Sequence, residues 1–204
     1  MALTHLLYLH GFRSSPLSTK AGQTRRWVAH HHPALHWHCP QLALSPREAM
    51  ADVFITLGTW PRDTMAVIGS SLGGFYATVV AEGLGCRAVL LNPAVEPARD
   101  LQRHIGETTA WHSDEKLFFR PEFVDELRAL HPGTITRTER YFAVIAKGDE
   151  VLDWREMSAR YAGCRIKLLE GGDHALTGFE QHLPDVASFL GLHAGRSEAS
   201  GMSA

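Results

Sequence analysis

Short apolar runs alternate along this chain with longer stretches whose apolar residues recur at helical spacing. That alternation predicts βαβ units on a mostly parallel sheet of six to seven strands flanked by helices. Six strands are expected over about 5–10, 35–39, 65–69, 87–92, 140–146 and 165–169. Ser45-Pro-Arg-Glu48 reads as a capping box with proline at the first helical position, so a helix should run from Pro46 toward Leu57. A second helix is expected over Leu72–Glu82, where Gly73, Gly74 and Ala77 allow close approach to the sheet. Thr177-Gly-Phe-Glu180 reads as a further capping box, opening a last helix that carries Phe179, Leu183, Val186, Phe189 and Leu190. The pattern breaks once. Some 47 residues separate Asn92 from Arg140, more than a crossover helix needs. With Trp111, Leu117, Phe118, Phe119, Phe123, Leu127 and Leu130, this stretch of about 95–139 is expected to form one or two helices capping the C-terminal edge of the sheet. An elaborated crossover is the alternative. One domain over 1–192 is expected, followed by a flexible tail over 193–204 that is rich in Ser, Gly and Ala.

The third strand ends in the most informative segment, Val67-Ile-Gly-Ser-Ser-Leu-Gly-Gly74. An apolar strand running into G-x-S-x-G and then a helix is the sequence of a tight turn that lifts a serine hydroxyl above the sheet edge. Ser71 fits the pattern, because choosing Ser70 would put Ile68 and Leu72 where the flanking glycines are needed. Gly69 and Gly73 are expected because a Cβ at either would crowd the strand-to-helix contact.

A serine hydroxyl is a weak nucleophile at neutral pH and needs a base, which in turn needs an orienting group. In a doubly wound fold both come from loops at the C-terminal strand ends. His174, in Glu170-Gly-Gly-Asp-His174, comes after the sixth strand and stands last in the order Ser, Asp, His. Two aspartates come after the fifth strand. Asp153, with Glu156 three residues on, resembles a helix cap with its carboxylate already committed, which leaves Asp149 to orient His174. Donors for a developing oxyanion are expected from the backbone N–H groups of Leu72 and Phe12, the latter in the turn that Gly11 permits. His10 is read as a structural residue of that turn. Phe12, Phe75, Val151, Leu152 and the aromatics of the insertion are the expected walls of an acyl pocket, with Arg13 at its mouth.

Charge and composition narrow the partners. Twenty Lys and Arg against 22 Asp and Glu leave a formal net charge of -2, which offers no footprint for nucleic acid or an anionic membrane. The apolar start is too short to span a bilayer, and three scattered cysteines (Cys39, Cys86, Cys164) argue against a disulfide framework, so a cytoplasmic protein without stable membrane association is expected. The cysteines are read as small core residues. His30, His31, His32, His36 and His38 invite a metal reading, but consecutive imidazoles on a helix end diverge and no Cys or carboxylate completes a set. No metal is expected.

Taken together, Tyr8-Leu-His-Gly-Phe12, Ser14-Ser-Pro-Leu-Ser18, Ile68-Gly-Ser-Ser-Leu-Gly-Gly74, Asn92-Pro-Ala-Val95, Gly148-Asp-Glu-Val-Leu-Asp153 and His174-Ala-Leu-Thr-Gly-Phe-Glu180 resemble the small bacterial YqiA-type esterases of the α/β-hydrolase superfamily. The resemblance runs nearly end to end. It implies an α/β-hydrolase fold, Ser71 as nucleophile, Asp149 as acid, His174 as base, activity on acyl esters or acyl-CoA thioesters, and no cofactor. Two positions depart from the pattern. Arg13 stands where asparagine is frequent, favouring an anionic substrate, and Asp173 stands before the histidine, where its charge is expected to raise the imidazole pKa. Cations that a thioester's phosphates would need are sought in Arg13, Lys20 and Arg99. A binding protein that keeps the fold without the chemistry is the reading from outside enzymes.

Overall fold

The computed structural model describes residues 2–110 and 116–192. Trp111 and the expected tail over 193–204 therefore lie outside the described residues. In chain order the elements are β1 (His5–Leu9), α1 (Thr19–His31), β2 (His36–His38), α2 (Pro46–Leu57), β3 (Met65–Ser70), α3 (Leu72–Leu84), β4 (Arg87–Leu91), α4 (Pro97–Leu101), β5 (Gly106–Thr109), β6 (Lys116–Phe119), α5 (Pro121–Ala129), β7 (Tyr141–Ala146), α6 (Trp154–Arg160), β8 (Arg165–Leu169) and α7 (Leu183–Leu190). Six strands make one sheet in the order β2-β1-β3-β4-β7-β8, every pair parallel. The chain leaves β1 to one side for β2 and returns to the other for β3. The loops after β1 and β3 therefore diverge at the point where a doubly wound sheet opens a crevice.

The apolar runs are continuous because the central strands are covered on both faces. Leu7, Leu9, Val67, Leu90, Ala143 and Ile145 pack on one side with Met50, Tyr76 and Val80 of α2 and α3. Leu6, Tyr8, Ile68, Val89, Phe142 and Val144 pack on the other with Val28 of α1 and Val186 and Leu190 of α7. Side chains one residue apart thus serve opposite cores, as the two-residue period of a strand requires.

Several local expectations are met. Ser45 caps α2, its Oγ accepting the Glu48 N–H at 3.2 Å, with Pro46 opening the helix. A Cβ at Gly69 would sit 2.0 Å from the Gly73 carbonyl oxygen, and one at Gly73 would sit 2.0 Å from that of Leu9. Helix α3 therefore lies against β1 and β3 at backbone distance. Gly73→Ala is expected to cost about 3 kcal/mol or more, the upper range for overpacking, because backbone rather than a flexible side chain opposes the methyl. Chemical denaturation checks this; a loss under about 1 kcal/mol would mean that α3 can move off the strands.

Two expectations need correction. The insertion does contain helices, α4 and α5, but between them β5 and β6 form a two-stranded antiparallel hairpin. Its period is two: Phe119 is buried against Phe12 and Phe123 while Phe118 points to solvent. Four residues of alternation are too few to separate from a helix end by pattern alone. The last helix does not open at Thr177. That hydroxyl donates to Asp173 Oδ2 at 2.6 Å and the Thr177 N–H donates to Asp173 Oδ1 at 2.8 Å, so the side chain cannot cap the next segment. Gly178, at φ 81°, turns the chain into a short 3₁₀ segment over Phe179–His182, and α7 begins at Leu183.

Candidate active site

Ser71 stands between β3 and α3 with φ 56° and ψ −122°, a left-handed conformation that costs a non-glycine residue of order 1–3 kcal/mol. Neighbouring backbone holds it there: the Ser71 N–H donates to the Leu91 carbonyl at 3.0 Å, and its own carbonyl accepts from Gly74 at 2.8 Å and Ala94 at 3.0 Å. Ser70, the rival serine, ends β3 opposite Leu91 and is buried at 6 % exposure.

Three loops converge on the Ser71 hydroxyl. From the loop after β8, His174 Nε2 lies 3.0 Å from Ser71 Oγ. From the loop after β7, Asp149 Oδ2 lies 2.8 Å from His174 Nδ1. The Asp149 side chain is fully buried, and its other oxygen accepts the N–H groups of Val151 and Leu152, each at 2.8 Å. Its desolvation is thus offset by three donors. Asp153 instead caps α6, accepting the Arg155 N–H at 2.9 Å.

The loop after β1 closes the third side. A Cβ on Gly11 would lie 3.2 Å from the Ser71 Cβ, so the Phe12 turn runs directly alongside the serine. Buried His10 fixes that turn. Leu42 N–H donates to its Nε2 at 3.1 Å, so the proton sits on Nδ1, which donates to the Gly11 carbonyl at 2.9 Å. Burial holds the His10 pKa below its ordinary value, consistent with a neutral ring. Among the described residues neither the Phe12 nor the Leu72 backbone N–H is taken up by a hydrogen bond.

Two cavities meet at Phe12, Arg13 and Leu72. The smaller, about 140 Å³, holds Ser71 and His174 and is walled by Ala94, Leu101, Val151 and Leu152. The larger, about 490 Å³, runs over Leu42, Tyr76 and Leu117. Phe75 lines neither, against expectation: its ring packs beside Tyr76 and His131. On a helix of about 3.6 residues per turn, Tyr76 lies closer than Phe75 to the direction of Leu72, and Tyr76 takes the wall position. That spacing was available in the sequence. Leu101, Arg103 and His104 were not legible as lining residues, because they come from the insertion, whose path the pattern leaves open. Burial, with the Arg103 and Arg13 cations, lowers the His104 pKa.

The sought-after cations fall into different places. Arg13, itself at φ 59°, lines both cavities and donates from Nε to the Thr109 carbonyl, tying the first loop to the hairpin. Arg99 is clamped by Glu156 at 2.7 and 2.9 Å and by Asp100 at 2.9 Å, and lines neither cavity. Lys20 reaches the carbonyl of Ala175. Asn92 supplies an unforeseen brace. Buried at φ 42°, it donates to the Asp173 carbonyl at 3.0 Å and accepts the Ala146 N–H at 2.8 Å, joining the loops after β4 and β8 to the end of β7.

The remaining candidates have structural surroundings. His31 Nδ1 meets the Trp27 carbonyl at 2.9 Å and its ring stacks on Trp27, while His5, His36 and His38 cluster around Trp60. Among the described residues no three His, Cys, Asp or Glu side chains gather as a metal set. Burial pushes the thiols of Cys39 and Cys86 up to about 12 and that of Cys164 to about 11, which suits packing rather than nucleophilic attack. No helix among the described residues is long and apolar enough to cross a membrane.

This parallel sheet, with its strand order and its crevice above β1 and β3, is an α/β-hydrolase fold, and solved structures agree. Est1E from Butyrivibrio proteoclasticus superposes with a TM-score of 0.67 at 15% identity, covering 94% of this chain and 88% of Est1E. The α/β-hydrolase domain-containing protein 10 from mouse gives 0.65 at 14% identity, covering 91% and 90%. A structure from the metagenome-derived lipolytic enzymes LipS and LipT gives 0.60 at 18% identity, covering 94% and 95%. Within that fold, the chain belongs to the uncharacterised protein family UPF0227, which it matches over residues 5–191.

Proposed function

We propose that this protein is a serine hydrolase that cleaves carboxylic esters of small to medium acyl groups through an acyl-enzyme. The observation that carries the reading is the unbroken chain from Ser71 Oγ to His174 at 3.0 Å and from His174 to the buried Asp149 at 2.8 Å. Asp149 fixes the tautomer with its proton on Nδ1, which leaves Nε2 free to accept the Ser71 proton as Oγ attacks the carbonyl carbon. The oxyanion forms toward the uncommitted amides of Phe12 and Leu72, each of which is worth about 3 kcal/mol if it is lost in such sites. As the tetrahedral intermediate collapses, the imidazolium returns the proton to the leaving alkoxide. Water then enters, His174 takes its proton, and the acid departs from Ser71. The resemblance to YqiA-type esterases, and structural relatives described as esterases or lipolytic enzymes, support the same chemistry.

The chamber at Ser71, about 140 Å³, is below the roughly 300–1,000 Å³ of ordinary ligand pockets and favours the short end of the acyl range. A panel of p-nitrophenyl esters of increasing chain length, run beside matched acyl-CoA thioesters, tests this. Turnover is expected on the short esters and to fall by about tenfold or more once the chain outgrows the chamber. A preference for the thioesters would assign the protein as a thioesterase, for which Arg13 and Arg103 at the cavity supply positive charge. Labelling of folded protein by a fluorophosphonate is expected at Ser71, and its absence would favour a binding protein on the same fold.

A further inference from the structure

Lys20, the second residue of α1, lines neither cavity and has no place in the chemistry above. Its Nζ nonetheless donates to the carbonyl of Ala175, the residue after His174, at 2.6 Å. The loop carrying His174 is otherwise held by Asn92, which donates to the Asp173 and His174 carbonyls, and by Glu150, whose carboxylate accepts the His174 N–H at 2.9 Å. The charged groups acting on Lys20 are two carboxylates: Asp149 from the loop after β7 and Asp173 from the loop after β8.

Resting on the serine-hydrolase reading, we propose that Lys20 is a positioning residue whose ammonium, bonded to the Ala175 carbonyl and attracted by Asp149 and Asp173, keeps His174 within reach of Ser71. A hydrogen bond from an ionised donor is roughly twice as strong as a neutral one, so the hold depends on the lysine's proton. Burial pulls the Lys20 pKa down to about 8 despite the opposing pull of the two carboxylates, which brings that proton into a range where it can be lost without unfolding the protein. Loss of the proton slackens the His174 loop. The ammonium also costs stability. Its folded pKa lies below the ordinary value of 10.5, so the unfolded chain binds more protons between the two and stability rises with pH across that window. Function and stability thus move in opposite directions as Lys20 titrates.

The test compares wild type with Lys20→Met and Lys20→Arg in ester turnover from about pH 6 to 10, in thermal unfolding, and in the ring ¹⁵N resonances of His174 by NMR. Wild-type kcat is expected to decline through a midpoint near about 8 with KM unchanged. Lys20→Met is expected to lose about tenfold in kcat, with KM within about twofold, no such midpoint and no fall in melting temperature. Lys20→Arg, whose charge persists across this range, is expected to restore kcat and abolish the midpoint. A lysine of purely structural value would lower the melting temperature in Lys20→Met and leave the pH profile in place, and that result overturns the proposal. The resonances of His174 separate this inference from the function it rests on. They are expected to step near pH about 8 in wild type but not in Lys20→Met whether or not any ester is cleaved. A step without turnover removes only the hydrolase reading, and the same profile in both proteins removes the role of Lys20.

Discussion

Ser71→Ala is expected to lower ester kcat by about 10⁶-fold, the order seen when a triad serine is removed, while the protein folds as before. Folding is spared because the strain at φ 56° belongs to any residue with a Cβ, and alanine bears it no worse than serine. The hydrogen bonds that hold the turn are all backbone, from Ser71 to Leu91, Gly74 and Ala94, and survive the loss of Oγ. Ser70→Ala supplies the contrast. Ser70 lies one residue back, on the side of the sheet shared by Ile68 and Tyr8, and its loss is expected to leave turnover within a few-fold. Initial rates on a short p-nitrophenyl ester, with thermal unfolding of both variants, decide the matter. Loss of activity in Ser70→Ala and retention in Ser71→Ala would sink the assignment of the nucleophile.

Asp149→Asn is expected to cost about 10⁴-fold in kcat, whereas Asp153→Asn costs little. The hydrogen bonds explain why the amide cannot stand in for the carboxylate. The N–H groups of Val151 and Leu152 both require an acceptor, and they hold the side-chain oxygen of the substituted residue at the position of Asp149 Oδ1. Its NH₂ then faces His174 Nδ1, which must accept rather than donate. The ring proton moves to Nε2, the atom that has to receive the proton of Ser71. At position 153 the carboxylate only caps α6, and asparagine caps as well as aspartate does. Steady-state rates for the two variants check the ranking; equal losses would mean that Asp153 does more than cap α6 and that the choice of Asp149 by the capping argument is wrong.

Much of this was legible in residue order because the determining interactions are local or forced. β3 is apolar from Met65 to Ile68 since both of its faces are covered, and Gly69 and Gly73 are required by contacts of backbone with backbone. Choosing Asp149 over Asp153 needed only the spacing of a helix cap. The insertion was less legible. Its aromatics announced burial, but Leu117 to Phe119 are too few to fix a period, and only pairing with Gly106–Thr109 makes them a strand. The capping box at Thr177 failed for a related reason. A cap is a competition for one side chain, and the carboxylate of Asp173, four residues back, won it.

Residue order on its own established the alternation of strands and helices, the tight turn at Ser71 and the residues able to complete a relay, since each follows from periodicity, from glycine at a crowded turn or from the order of loops on a parallel sheet. Folding was needed to bring Leu101 and His104 of the insertion into the cavity wall, to tie Arg13 to the hairpin through Thr109, and to stand Lys20 behind His174 on the Ala175 carbonyl. Those contacts join residues up to 155 positions apart, and which of many solvated cations is drawn into such a contact depends on burial and on neighbouring charges that exist only after the chain has folded.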